Sequence, residues 1–349
     1  MTHYIDHFPD REVYINGEAH LYFGGTSYLG LQTDAAFQDI FISNIKKYGT
    51  NYGASRKSNI RFSIYKEVEL YLSEMVGCED AITLSSGYLA GQLIAQYYHS
   101  LNCSLFYTPN THSALITNDT QVYANYLELA QGISAYLLKK PNETPVVFLD
   151  SIDFSGNNYP YFTALKKLPL KECILVVDDS HGIGIIEENG SGVFNLVKAM
   201  QPKELVVCCS LGKGFGIQAG AIFGKTKIIN NLKNTPFYGG ASPATPASIA
   251  TLKNAENIYR KKREILNSNM SYFSSKVKSL HYFTSMNGHP SFTFSNKNLS
   301  KNLAKNNIII TNFHYPNEDS PLMSRIVLSA SHTKSDLDYL LKCLHKFLE

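Results

Sequence analysis

A chain of 349 residues can hold one large α/β domain and a smaller second one. Hydrophobic residues make up 44% and charged residues 17%, and the net charge of +3 comes with only short basic runs (Lys139-Lys140, Lys166-Lys167, Lys261-Lys-Arg263), which argues against a nucleic-acid partner. The six cysteines are irregularly spaced without a Cys-x-x-Cys pair, so reduced core thiols are expected and a zinc or other metal site is not. No stretch reaches the roughly 18 apolar residues of a membrane span. The start, Met1-Thr-His-Tyr-Ile-Asp6, lacks the basic and apolar regions of a signal peptide, and a cytoplasmic protein is expected.

Residues 1–19 are weakly patterned and read as an extended arm. Leu21-Tyr-Phe23 reads as a short strand leading to Tyr28-Leu-Gly30. Thr33 or Asp34 can cap a helix that runs to Tyr48 and ends at Gly49. The small and polar residues from Gly49 to Ile60 read as a loop. Ser63 is placed as the cap of a second helix, with Gly77 as its stop.

From there strands alternate with helices. Strands are predicted at Ala81–Leu84, Cys103–Tyr107, Val146–Leu149, Ile174–Val177, Leu205–Cys209 and Ala221–Phe223, and Ser86-Gly-Tyr88 opens a helix to about Tyr98. This alternation is the signature of a mainly parallel sheet with helices on both faces. Pro243 to about Val277 is glycine-free and helical in pattern, and reads as a bridge. Beyond it, strands near His281–Ser285, Ser291–Ser295, Ile308–Phe313 and Arg325–Ser329, with helices from Leu299 and Lys334, suggest an α+β unit with an antiparallel sheet. The expected division is an arm at 1–32, a large α/β domain at 33–242, and a bridging helix with a C-terminal domain at 243–349.

Two predicted strand ends carry the chemistry. Val206-Val-Cys-Cys-Ser-Leu-Gly-Lys-Gly-Phe-Gly216 places Lys213 between glycines, as the only charged residue between Glu204 and Lys225. A desolvated lysine amine is a nucleophile suited to a Schiff base with an aldehyde. The spacing is not that of a P-loop, and no acid follows at the distance a dinucleotide fingerprint requires. Upstream, Ile174-Leu-Val-Val-Asp-Asp-Ser-His-Gly182 ends a strand in Asp178, Asp179 and His181. Open α/β sheets hold ligands at the carboxyl ends of their strands. A lysine for an aldehyde and an acid for a pyridine nitrogen are what pyridoxal phosphate requires.

The chain resembles the α-oxoamine synthases among the fold-type I pyridoxal phosphate enzymes. The resemblance rests on Ser27-Tyr-Leu-Gly-Leu31, Tyr48-Gly-Thr-Asn-Tyr-Gly-Ala-Ser-Arg56, Ser85-Ser-Gly-Tyr88, Thr111-His-Ser-Ala114, Val177-Asp-Asp-Ser-His-Gly182 and Ser210-Leu-Gly-Lys-Gly-Phe-Gly216. It implies that Lys213 carries the cofactor and moves the substrate's α-proton, and that Asp178 rather than Asp179 pairs with the ring nitrogen. It further implies that His181 bonds the phenolic oxygen and His112 stacks on the ring. The phosphate is expected at Ser86, Gly87, Tyr88 and Ser210, and the substrate carboxylate at Arg325. The implied activity joins a small amino acid to an acyl-CoA or acyl-carrier thioester with loss of carbon dioxide, in a homodimer with sites at the interface. An aminotransferase on the same fold and a catalytically silent cofactor-binding protein are the alternatives. The sequence departs from the family at Phe154, where a serine is usual, at Tyr65, where a histidine is usual, and in Phe237-Tyr-Gly-Gly-Ala-Ser242, where Gly239 and Gly240 replace polar residues. Arg56 and Arg61 are basic residues to which no role is given.

Overall fold

The computed structural model describes residues 2–117, 123–277, 280–315 and 317–348. Its strands, in chain order, are β1 Glu12–Ile15, β2 Glu18–Phe23, β3 Asp80–Leu84, β4 Leu105–Tyr107, β5 Val146–Asp150, β6 Ile174–Asp178, β7 Glu204–Ser210, β8 Gly220–Gly224, β9 Thr284–Ser285, β10 Ser291–Thr293, β11 Ile308–His314 and β12 Leu322–Val327. The chain divides into two compact units: residues 40–153 with 157–255, and residues 1–39 with 154–156 and 256–349. No helix among the described residues is long and apolar enough to cross a membrane.

The larger unit is built on a six-stranded sheet in the order β3-β8-β7-β6-β5-β4. Strands β4 to β7 run parallel, and β8 runs antiparallel to both β7 and β3. Its central strands are apolar throughout: Val146, Val147, Phe148 and Leu149 of β5 are fully buried, as are Leu175, Val176 and Val177 of β6. Such continuous runs are what a strand covered on both faces requires. The helix Gly87–Ser100 packs on β7 and β8, and its Leu93, Ile94 and Ala95 join the same core. Ser86 caps it, its hydroxyl accepting the Leu89 N–H at 3.2 Å.

The next helix towards the N-terminus corrects one expectation. It spans Ser63–Val76, but Phe62, with extended backbone, occupies the cap position and Ser63 is already helical. No capping box supports a serine cap here, because the residue three places on is Lys66. Its other end is as read: Gly77 takes φ of 80° and donates to the Ser73 carbonyl.

The second unit holds a sheet in the order β1-β2-β11-β12-β10-β9. From Glu12 onward the expected arm is instead sheet: β1 and β2 form a hairpin around Asn16-Gly17, both at positive φ, as a tight hairpin turn demands. Strand β2 then pairs in parallel with β11, Leu21 opposite Ile308, so the sheet is mixed rather than wholly antiparallel. Arg11 braces this edge by a bidentate pair with Asp336, at 2.7 and 2.8 Å. The stretch read as one bridging helix is two, Pro246–Asn254 and Glu256–Lys276, broken at Ala255.

Candidate active site

Three parallel strands end level with one another. Asp150 of β5 stands opposite Asp178 of β6, and Asp178 opposite Cys208 of β7, which continues to Ser210. Two carboxylates and the lysine-bearing turn thus come to the carboxyl edge of the sheet, where open α/β folds bind ligands.

Glycine packing brings Lys213 to His181. The turn Leu211–Gly214 begins at Ser210, whose hydroxyl accepts the Gly212 N–H at 3.3 Å. It lies directly on the loop after β6: a Cβ on Gly214 would sit 2.1 Å from the Ile183 carbonyl oxygen, and Gly184 opposite it adopts φ of 82°. Backbone against backbone, the two loops leave Lys213 Nζ 2.8 Å from His181 Nε2.

The two neighbouring acids serve different ends. Asp179 is 1% exposed and both its oxygens are taken, one by the Ser151 hydroxyl at 2.6 Å and one by the Val193 N–H at 2.9 Å. Gly182 and Gly192 press on that carboxyl so closely that a Cβ would lie 2.2 and 1.9 Å from its oxygens. Burial pushes its pKa up to about 7. Asp179 thus ties loops together. Asp178, also buried, uses one oxygen to accept the Ser180 N–H at 2.8 Å, and its charge is felt by both His112 and Asp150.

His112 caps the turn Ser113–Leu115, Nδ1 accepting the Ala114 N–H at 3.1 Å, which places the ring proton on Nε2. Burial lowers its pKa, and Lys213 adds to this against the pull of Asp178. The imidazole is therefore neutral at pH 7, as a ring that stacks on a cofactor can be. Its backbone N–H donates to Asp150 at 2.7 Å. Asp150 is partly buried, and that burial, followed by the neighbouring Asp178 charge, raises its carboxyl well above the usual range. Sequence reasoning did not assign Asp150. The signal was present, since Val146-Val-Phe-Leu-Asp150 ends in an acid just as β6 does.

The expected phosphate site is equally close-packed. A Cβ on Gly87 would meet Ser210 backbone and side chain at 2.7 Å, and one on Gly220 would lie 2.2 Å from the Ser86 carbonyl oxygen. Only glycine permits this approach, and it sets Ser86 and Ser210 side by side at the start of a 14-residue helix. A helix start with free N–H groups and flanking hydroxyls fits a phosphate. The Tyr88 ring is exposed at 54%, so its part in such a site falls to its backbone N–H.

The other singled-out residues have partners of their own. Arg56 is a brace: it pairs with buried Glu69 at 2.8 Å and lies 4.0 Å over the Tyr65 ring. Glu69 also accepts the N–H and hydroxyl of Thr83 at 2.9 Å. Tyr65 donates its hydroxyl to the Ala244 carbonyl at 2.6 Å. Arg61 bonds backbone carbonyls of its own loop, Ser58 and Lys57. Arg325 belongs to the other unit, on β12. Burial lowers its pKa, the Tyr28 hydroxyl being the only group acting against this, and no acid among the described residues forms a salt bridge with it.

No protein-family model matches the chain. Among curated proteins it is 25% identical to an 8-amino-7-oxononanoate synthase of Petrotoga mobilis, over 95% of this chain and 89% of that one. It is 26% identical to the Hahella chejuensis enzyme of the same name, over 98% and 91%. A serine palmitoyltransferase of Sphingobacterium spiritivorum is 28% identical over 71% and 64%. Among solved structures, a serine palmitoyltransferase from S. paucimobilis matches with a TM-score of 0.79 at 17% identity, covering 96% of this chain and 89% of that one. An 8-amino-7-oxononanoate synthase from Francisella tularensis matches with a TM-score of 0.70 at 20% identity, covering 94% and 98%. The fold is that of the fold-type I pyridoxal phosphate enzymes, and in sequence the chain is similar to 8-amino-7-oxononanoate synthases and a serine palmitoyltransferase.

Proposed function

We propose that this protein is a pyridoxal phosphate-dependent acyltransferase that joins a small amino acid to an acyl thioester, with loss of carbon dioxide, to give an α-amino ketone. The observation that carries the reading is the contact of Lys213 Nζ with His181 Nε2 at 2.8 Å, beside the buried Asp178 and the neutral His112. When bound, the cofactor supplies an aldehyde for the lysine and a protonated pyridine ring that draws electron density from the substrate's α-carbon.

Lys213 holds the cofactor through its amine. The same amine would also move the substrate's α-proton. His181 holds the lysine amine in place and bonds the cofactor's phenolic oxygen. Asp178 keeps the ring nitrogen protonated by a charge-assisted hydrogen bond. His112 covers one ring face while staying uncharged, so it adds no cation to repel the protonated ring. Ser86, Ser210 and the start of the helix Gly87–Ser100 hold the phosphate. Arg325, a half-buried cation with no acid salt-bridged to it among the described residues, takes the substrate carboxylate through two parallel hydrogen bonds. The active form is a homodimer.

The test supplies glycine, alanine and serine, each with a series of acyl-CoA thioesters. Thiol release and carbon dioxide release are followed together. Release of both in equal amounts for one amino acid supports the reading. Conversion of a keto acid to an amino acid with no thioester consumed would replace it with an aminotransferase.

A further inference from the structure

Phe154 stands where the related synthases usually have a serine, and its backbone adopts φ of 56°. That left-handed conformation is unusual for an aromatic residue and is kept only where surrounding contacts hold it. Residues 154–156 pack with the unit that contains Arg325 rather than with their chain neighbours. The centre of the Arg325 guanidinium lies 3.4 Å from the centroid of the Phe154 ring. The other parts of Arg325 are fixed as well. Its backbone sits in mid-sheet, opposite Thr293 of β10 and Thr311 of β11. One terminal nitrogen donates to Met323 Sδ at 2.7 Å. His289 meets the Phe154 ring edge-on at 5.8 Å, and Tyr28 meets His289 edge-on at 5.5 Å.

We infer that Phe154 is a positioning residue for Arg325: its ring covers one face of the guanidinium and fixes the plane in which the arginine receives a carboxylate. An arginine braced by an acid would have its charge spent. One braced by an aromatic face keeps its full charge and, beyond the donor given to Met323 Sδ, its in-plane donors for an incoming anion. The inference rests on the assignment of Arg325 to the substrate carboxylate.

The test uses the full-length, cofactor-loaded protein. Alanine and ethylamine, which differ by the carboxylate, are titrated separately, and binding is read from the change in cofactor absorbance. Phe154→Leu and Phe154→Met, which fill similar space without a π face, should weaken alanine by about three- to tenfold and leave ethylamine unchanged. Phe154→Tyr, which keeps the face, should bind alanine within about twofold of the parent. In turnover the loss should fall on the amino acid's KM more than on kcat. Parent-like alanine binding in the Leu and Met variants, with Arg325→Gln weakened, overturns the role of Phe154 and leaves that of Arg325 standing. Equal weakening of alanine and ethylamine shows a structural residue only and also overturns it. Parent-like alanine binding by Arg325→Gln removes the carboxylate assignment and this inference together.

Discussion

Lys213 Nζ and His181 Nε2 lie 2.8 Å apart across two loops that touch through glycine. The amine proposed to hold the cofactor and its histidine partner are thus brought together by backbone packing. The consequence is that glycines with no chemistry of their own control the site.

Gly214→Ala tests this directly. The added Cβ would sit 2.1 Å from the Ile183 carbonyl oxygen, a backbone atom that cannot swing aside. The loops must part, at a cost of about 1–3 kcal/mol in stability, and Lys213 must leave His181. Thermal unfolding and cofactor affinity should both fall. A variant with the parent's melting temperature and cofactor affinity would contradict the packing argument.

His181→Asn removes the partner while Lys213 stays. The lysine-dependent cofactor absorbance should persist, and kcat should fall by about 10²-fold, the usual size of a general acid–base contribution. Steady-state kinetics with spectra of the same preparation measure both. Unchanged kcat would mean that the contact is only structural.

Asp178 and Asp179 should separate cleanly. Asp178→Asn should fold like the parent and lose most of its activity, since an amide cannot hold the ring nitrogen's proton as a carboxylate does. Asp179→Asn should unfold more readily, because one oxygen facing the Ser151 hydroxyl or the Val193 N–H becomes an NH₂ donor set against a donor. Denaturant melts and activity assays of the pair check this. The opposite assignment of losses would exchange their roles.

His332 makes the second unit acid-sensitive. It is 3% exposed and stacks on Phe23 with ring centroids 4.0 Å apart. Nδ1 accepts the Ser329 N–H at 2.9 Å, so Nε2 donates to the Tyr22 carbonyl at 3.0 Å, and the neutral ring is fully satisfied. Burial depresses its pKa from 6.5 to about 4. The unfolded chain therefore binds a proton that the folded one refuses. The contribution is complete above pH 6.5 and is lost as pH falls towards 4, by up to about 3 kcal/mol. Urea melts across this window should show the loss, and His332→Gln should flatten the slope. An equal slope in both proteins would rule His332 out as its source.

Much of the larger unit was legible in the sequence because β5, β6 and β7 are buried on both faces. Uninterrupted runs such as Ile174-Leu-Val-Val177 have few alternatives to a central strand, and their polar ends mark the ligand edge. What was not legible depends on partners distant in the chain. The pairing of Leu21 with Ile308, which turns the expected arm into sheet, has no local signal. Nor has the service of Arg56 to Glu69 and Thr83, which only the fold brings together. The preference for Asp178 over Asp179 came from the resemblance alone; that Asp179 is enclosed by Gly182 and Gly192 and bonded by Ser151 and Val193 is visible only in the fold. Asp150 was legible as the acid that ends an apolar strand, but its bond from the His112 backbone N–H is visible only in the fold.

The central claim is that Lys213 carries pyridoxal phosphate for an acyl transfer. Its most direct test is the visible absorption spectrum of the protein with pyridoxal phosphate, compared with Lys213→Ala, before and after addition of a small amino acid and an acyl-CoA. The account predicts a yellow band that requires Lys213, a spectral change with one amino acid, and a further change only when the thioester follows. Absence of any Lys213-dependent band would contradict it.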